Sequence, residues 1–523
     1  MPYRLRNILK IDWLFLAIVF IGLLLRLHGL TKHDLWLDEV LTYDKISASN
    51  NCEAVCSNLY EKHPPLYFLL LRIWSYVFAK EAFNLRFFSV IFDILSILLV
   101  YKIGTLLFDR NCAIVSACFI TFSPLHLWYS QEARMFTFSL FLILVNSYFF
   151  IKSLEDFKKY LAGYFFSLLA SIFTSYFTLF IVVSQFLVLI LFKKYRPLVL
   201  KWLLTIFLAL SIFTAIFYKE WYSQFKLFND MFWLPKSNSL LDILATFYYF
   251  VFGYNGSQFI FKIFCLLFVC IILFNILQLN REKKILGIFF LLPIFLIYLI
   301  SRFYPIYLIR HLIIFSPFFY MFTAACILQI KRVSIKSLVI LTFAINLTFS
   351  VLNYYSDIAF HKYVFSFAFP KKPTAQFVDF LLKYKEDGDA VGFANYGFMK
   401  TFRYYFSKLS KEEYLHTKKL YFYIPRADSY YDKLMEYKRK YAVGLGRYYE
   451  SINFADINLE SNKSWGEPNK RLWLLLTSWG RDGRLEPNDK AVKNWFDSHF
   501  AKEREWPVDG VLIILYELKP RGA

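Results

Sequence analysis

The chain enters a long apolar stretch at residue 13 and reads WLFLAIVFIGLLLRLHGL through residue 30. Further runs of this kind cover residues 87–107, 136–151, 260–279 and 308–328. A helix needs about 20 residues to cross the roughly 30 Å hydrocarbon layer of a membrane, and these runs approach that length. The pattern predicts a protein that crosses a membrane many times. Its first stretch is predicted to stay in place as a span, because it is too long for a cleaved signal.

The composition supports the same class of protein. Hydrophobic residues make up 58% of the 523 positions, which is more apolar surface than a soluble core of this size could hide. The net charge of +21 comes from Lys and Arg residues that lie between the apolar runs. That placement is typical of membrane topology signals and argues against a nucleic-acid partner.

Short loops rich in Lys and Arg predict the orientation, since such loops stay in the cytoplasm. Three apolar stretches, 13–30, 66–79 and 86–101, separate the first two basic loops. Both loops can lie in the cytoplasm only if an even number of spans separates them, so one of the three stretches does not cross. The shortest, 66–79, follows two prolines and is predicted to lie on the outer surface. The predicted total is then 11 membrane spans, with the amino terminus inside and the carboxyl terminus outside. Thirteen spans are the alternative, if 66–79 and 240–253 both cross.

The character of the chain changes after residue 352. We therefore expect a transmembrane domain over residues 1–352 and a soluble α/β domain outside the membrane over residues 353–523. The pattern predicts strands at 389–396, 420–424, 471–477 and 510–518, and helices at 374–384, 430–441 and 489–503.

Acidic and basic residues gather at the predicted outer ends of the first spans, where burial makes charge costly and function is its usual justification. The outer loop 31–85 begins with LWLDE at 35–39 and ends with EKHPPLY at 61–67. LRFFS at 85–89 and WYSQEARM at 128–135 follow, and Arg310-His311 open a later span. Sugar transfer from a lipid phosphate needs a carboxylate as base and cations for the departing phosphate, and this cluster contains both.

The order of these motifs resembles the bacterial relatives of the protein O-mannosyltransferases. They are multi-spanning glycosyltransferases of the GT-C class, which also includes the lipid A aminoarabinose transferase. The similarity is strongest over residues 25–150 and weak in the carboxyl-terminal domain. It implies an α-helical integral membrane protein of GT-C fold whose donor is a polyprenyl-phosphate-linked sugar.

The resemblance also implies roles for single residues. The catalytic base maps to Asp38, with Glu39 completing the acidic pair and Glu132 as the second outer-loop acid. The donor-phosphate contacts map to Lys62, Arg86 and Arg310. The residues that bind or position substrate are His63, Tyr67, Arg134 and His311. Glu61 matches a glutamate that helps to hold a divalent metal in the aminoarabinose transferase, so we leave a metal cofactor open.

The sequence thus predicts an inverting transferase that moves one sugar to an acceptor hydroxyl on a lipid, glycan or protein. Its site would face the outside of the inner (plasma) membrane. A ligase or polymerase that uses a lipid diphosphate, and a transporter or flippase, are the alternatives. Asp93 lies inside the second span and matches no motif of the resemblance, so we expect it to have a structural partner.

Overall fold

The computed structural model describes residues 12–47, 63–228, 239–254, 280–304, 306–356, 373–386, 389–394, 396–409, 421–423, 471–477, 485, 487–508 and 511–520. The chain divides into two compact units. We call residues 1–31 with 42–368 the helical unit, and residues 32–41 with 369–523 the α/β unit. The boundary near the amino terminus falls within the helix Leu37–Ser47.

The helical unit consists of apolar helices joined by short turns. In chain order the described helices are α1 (Trp13–Leu27), α2 (Leu37–Ser47), α3 (Leu66–Val77), α4 (Ala82–Leu107), α5 (Arg110–Phe122), α6 (Pro124–Ser130), α7 (Phe136–Ser153), α8 (Phe157–Ile172), α9 (Thr178–Leu191), α10 (Val199–Phe228), α11 (Leu241–Phe252), α12 (Arg281–Ser301), α13 (Ile309–Leu312), α14 (Ser316–Leu328) and α15 (Val333–Tyr355). The 3-10 segment Lys193–Leu198 joins α9 to α10, and Ile313–Phe315 joins α13 to α14.

Six spans within the described residues are long and apolar enough to cross a membrane. The pair α5 and α6, bent by 58°, adds a seventh. These helices confirm the prediction of an integral membrane protein. The predicted span 260–279 lies outside the described residues, so the total of 11 and the surface placement of α3 stay predictions.

Burial separates central helices from peripheral ones. In the span Ile309–Leu328, 89% of the apolar window is buried among the described residues, against 11% in Val333–Tyr355. Phe207 on α10 and Phe349 on α15 are 70% and 61% exposed. Large apolar side chains on an outer surface are stable when the solvent there is lipid, so α10 and α15 have the character of lipid-facing helices.

A buried ion pair joins α1 to α4. Arg26 Nε lies 2.6 Å from Asp93 Oδ2, and neither side chain is exposed. The guanidinium also donates to three backbone carbonyls. His126 Nδ1 lies 3.1 Å from the other oxygen of Asp93, and His126 Nε2 lies 2.8 Å from Ser316 Oγ. Asp93 therefore has the structural partner that the sequence analysis predicts for it.

The α/β unit contains a five-stranded sheet with the order β2-β1-β3-β5-β4. The strands β1, β2 and β3 are parallel, whereas β3, β5 and β4 pair antiparallel. In chain order the described elements are α16 (Thr374–Tyr384), β1 (Ala390–Phe393), α17 (Tyr396–Leu409), β2 (Tyr421–Tyr423), β3 (Arg471–Thr477), α18 (Pro487–His499), β4 (Phe500–Val508) and β5 (Val511–Pro520).

Apolar side chains cover both faces of this sheet. The helices α16 and α17 pack on one face, where Phe377, Phe402 and Trp473 are among the buried residues. The helix α18 packs on the other face through Val492 and Phe496. The unit is a three-layer α/β domain, which confirms the predicted fold class.

The predicted helix 489–503 is wrong at its carboxyl end. The helix stops at His499, and Phe500–Val508 forms the strand β4. The predicted helix includes Lys502 and Glu503, but charged side chains are also typical of a strand at the edge of a sheet. The structure also contains the helix α17, which the sequence analysis missed. The predicted helix 430–441 lies outside the described residues.

Candidate active site

The turn between α6 and α7 carries the second predicted acid. Glu132 is fully buried in this turn, and Arg134, whose backbone N–H donates to the carbonyl of Glu132, is 4% exposed. Gln131 Nε2 donates to the carbonyls of Arg26 and His28, over 2.9 and 2.8 Å. The turn is therefore bound to the end of α1.

Arg134 connects the same turn to neighbouring elements. Its guanidinium donates to Thr42 Oγ1 over 3.1 Å, and its carbonyl accepts from Ser89 Oγ over 3.4 Å. Thr137 Oγ1 in turn donates to the carbonyl of Ser89 over 3.0 Å. These bonds place the turn beside the first turns of α4, close to the predicted phosphate ligand Arg86.

Arg86 itself is 1% exposed and donates to the carbonyl of Leu30 over 2.8 Å. Leu30 follows α1, so this bond joins the end of α1 to the start of α4. We use the name polar end for the end of the helical unit where α1, α6 and α8 finish and α4, α7, α9 and α13 begin. Buried guanidinium groups at such a position are suited to bind a phosphate, because their planar forks match its oxygens.

The basic residues His63, Arg310 and His311 meet at the polar end. The His63 and His311 rings lie 5.8 Å apart in a T-shaped arrangement, and the Phe177 ring lies 4.6 Å from His311. Arg310, His63 and Arg134 all lie within the range of electrostatic interaction with His311. The structure thus brings together basic residues from three distant parts of the sequence, namely His63, Arg134 and the adjacent pair Arg310 and His311.

Two tyrosines lie near the buried acid. The hydroxyls of Tyr129 and Tyr254 are 2.6 Å apart. Burial raises the pKa of Tyr254, which lies beyond the end of α11, and the Glu132 charge raises it as well. The Arg310 charge lowers the same pKa, so Glu132 and Arg310 are both within electrostatic reach of this hydroxyl pair. Sequence analysis did not single out either tyrosine.

Tyr67 and Lys45 occupy apolar surroundings nearby. The Tyr67 ring is fully buried and meets the rings of Phe68 and Phe88 in T-shaped contacts, 5.3 and 5.8 Å between centroids. Lys45, in the last turn of α2, is 1% exposed, and its Nζ lies 4.1 Å from the Phe68 ring. Lys45 is a further buried cation that the sequence analysis missed.

The acidic pair Asp38 and Glu39 belongs to the α/β unit. Asp38 and Glu39 lie in the first turn of α2, Asp38 half-buried and Glu39 fully buried. Glu39 Oε2 accepts the backbone N–H of Trp36 over 3.3 Å, as the glutamate of a capping box does. Glu39 therefore has a helix-capping contact, which favours Asp38 as the base.

The remaining predicted positions, Glu61 and Lys62, lie outside the described residues. Among the residues that the structure describes, no group of three or more His, Cys, Asp or Glu side chains could hold a metal ion. The predicted metal ligand Glu61 thus stays a prediction.

Known proteins resemble this chain in sequence motif and in fold. Residues 62–218 match the family model of dolichyl-phosphate-mannose-protein mannosyltransferase. Two crystal structures of ArnT from Cupriavidus metallidurans, the apo state and the complex with undecaprenyl phosphate, align with TM-scores of 0.57 and 0.58. Both are 10% identical to this chain, and the alignments cover 96% of this chain and 97% of ArnT.

A crystal structure of the Archaeoglobus fulgidus oligosaccharyltransferase with Zn and sulfate aligns with a TM-score of 0.48 and 12% identity, over 75% of this chain and 61% of that chain. The sequence has no match among curated proteins. The segment matched by the family model includes Arg86, Glu132 and Arg134, whereas Asp38 and Arg310 lie outside it.

Proposed function

We propose that this chain, which has the fold of ArnT, is a membrane glycosyltransferase that moves a single sugar from a polyprenyl-phosphate donor to an acceptor hydroxyl. The observation that carries the proposal is the burial of Glu132 together with Arg86 and Arg134 at the polar end. Ionisable groups among apolar helices are costly and mark functional sites. The complex of ArnT with undecaprenyl phosphate supports a lipid phosphate as the ligand of this fold.

Asp38 is the base in the proposed reaction. Its carboxylate takes the proton of the acceptor hydroxyl while the hydroxyl oxygen bonds to the anomeric carbon. The bond between that carbon and the donor phosphate oxygen breaks, and the electron pair leaves with the lipid phosphate. Attack from the opposite side inverts the configuration. Glu132 positions the acceptor or assists Asp38, and Glu39 stabilises the start of α2.

The departing lipid phosphate needs cations rather than an acid, because it leaves as a stable anion. We assign this role to Arg86, Arg310 and Lys62. The residues assigned to positioning of donor or acceptor are His63, Tyr67, Arg134 and His311. For Tyr67 the assignment is indirect, since its ring is fully buried and packs against Phe68 and Phe88.

We propose further that the polar end faces the outer side of the inner (plasma) membrane. The amino terminus would then lie in the cytoplasm and the α/β unit outside, as the basic loops indicate. The acceptor would be a lipid, a glycan or a protein at that surface.

The experiment measures release of lipid monophosphate by the purified protein from a panel of polyprenyl-phosphate sugars, with a crude acceptor extract. Asp38→Asn is compared with the wild type, and Asp44→Asn serves as a matched control because Asp44 is exposed on the same helix. We expect release by the wild type and the control and a loss of at least about 100-fold in Asp38→Asn.

Other outcomes distinguish the alternatives. Equal release by Asp38→Asn would remove Asp38 from the mechanism. Release of a lipid diphosphate from a diphosphate donor would indicate a ligase, and transport without cleavage would indicate a flippase.

A further inference from the structure

The segment with the proposed base folds with the carboxyl-terminal part of the chain. Residues 32–41 group with residues 369–523 in the α/β unit, although more than 300 positions separate them in sequence. Hydrogen bonds to the described helices α16 and α17 hold this segment within the unit. The backbone N–H of Ala375 donates to Asp34 Oδ2 over 2.7 Å, and the backbone N–H of Leu35 donates to the Tyr405 hydroxyl over 2.6 Å.

Asp34 supplies a cap that the helix α16 lacks locally. The residue before α16 is Pro373, and it makes no side-chain capping bond. The first turn of a helix has backbone N–H groups without partners inside the helix and a partial positive charge. The Asp34 carboxylate satisfies one of these N–H groups and carries the complementary charge.

Tyr405 holds the next residue of the segment from a second helix, α17. Leu35 is 1% exposed, so its side chain is buried while its backbone is bound to the tyrosine. The two anchoring helices pack on the same face of the sheet, and the rings of Phe377 and Phe398 lie 5.9 Å apart between them. The anchors therefore sit on one packed pair of helices.

Only Trp36 and Leu37 separate the second anchor from Asp38. Such a short connection couples the position of the carboxylate to the two helices. Proton abstraction needs the base within hydrogen-bond reach of the hydroxyl, and a misplacement of about 1 Å can cost roughly 100-fold in rate.

We propose that Asp34 and Tyr405 are positioning residues, through which the carboxyl-terminal domain holds the base segment in the geometry that sugar transfer requires. This inference rests on the proposed function, with Asp38 as the base. It gives the carboxyl-terminal domain a part in catalysis that needs no contact with the substrate.

The test compares Asp34→Ala and Tyr405→Phe with the wild-type full-length protein in the lipid-phosphate release assay. We expect kcat to fall about 10-fold or more in each variant while KM for the donor stays within about 2-fold, because the phosphate ligands are unchanged. Asp34→Asn should restore most of kcat, since its amide oxygen still accepts the N–H of Ala375. The matched controls are Asp379→Ala, an exposed acid on α16, and Tyr404→Phe, the neighbouring tyrosine on α17.

Amide hydrogen exchange of the same variants gives a readout that does not depend on activity. Peptides that cover residues 32–41 should exchange faster in Tyr405→Phe and Asp34→Ala than in the controls. Unchanged exchange, or kcat equal to the wild type, would overturn the inference while leaving the proposed function standing. A wild type that releases no lipid phosphate from any donor would instead overturn the proposed function, and the positioning role with it.

Discussion

Replacing Asp93 with asparagine removes the buried countercharge of Arg26 and keeps the size of the side chain. The two groups are 2.6 Å apart and fully buried, so water cannot replace the lost charge. Breaking such a pair on one side costs about 3–5 kcal/mol, because the remaining charge stays buried without compensation. The asparagine amide keeps one acceptor oxygen where the carboxylate offers two, so either Arg26 or His126 loses a bond, which adds about 1–3 kcal/mol.

Equilibrium unfolding of the detergent-solubilised protein measures this cost. We expect Asp93→Asn to lose at least about 3 kcal/mol of unfolding free energy. The double variant Arg26→Met with Asp93→Leu should recover most of that loss, since an apolar pair of similar volume avoids the desolvation of both charges. A loss below about 1 kcal/mol in the single variant, or a double variant no better than the single one, would refute this account of the pair.

Three further predictions concern the active site and the α/β unit. Glu132→Gln should slow lipid-phosphate release about 100-fold or more with unfolding unchanged in the same detergent; activity near that of the wild type would exclude Glu132 from catalysis. Arg86→Met should weaken donor binding about 10- to 100-fold in a titration with the donor, a loss of 1.5–3 kcal/mol for a bond to a charged group; unchanged affinity would move the phosphate elsewhere. Burial raises the pKa of Asp497, but hydrogen bonds from Lys493 and Tyr516 outweigh it, and the pKa lies below its ordinary value of 3.8. The charged form therefore stabilises the α/β unit above pH 3.8, and this contribution is lost as the pH falls further. Asp497→Asn should weaken the dependence of amide hydrogen exchange in the α/β unit on acid pH; an unchanged dependence would contradict this role of Asp497.

The membrane class of the protein could be predicted because lipid imposes a simple rule on sequence. Helices that cross it must be apolar over about 20 residues, and the runs 87–107 and 136–151 show this directly. In the α/β unit, β3 and α16 have the predicted bounds, since β3 is a short continuous apolar run and α16 buries residues at helical spacing. The charged strand β4 could not be predicted, because charged side chains suit a strand at the edge of a sheet and the local sequence does not show which strand lies at the edge.

The site could be predicted in part. The motifs indicate which acids and bases gather at the ends of spans, and the structure buries Glu132, Arg86 and Arg134 at one such end. The partner of Asp93 could not be named, because several arginines lie at suitable depths and periodicity does not say which helices are neighbours. Lys45 was missed for a similar reason, since its burial depends on Phe68 from another helix.

The charged strand β4 has a consequence for the behaviour of the protein in the cell. It lies at one end of the described sheet, where its backbone could pair with the strand of a second molecule. Lys502, Glu503, Arg504 and Glu505 are charged at consecutive positions and bring a strongly hydrated surface to that edge. An incoming strand would have to strip this water away, so the domain resists sheet-to-sheet aggregation at the crowded surface of a membrane.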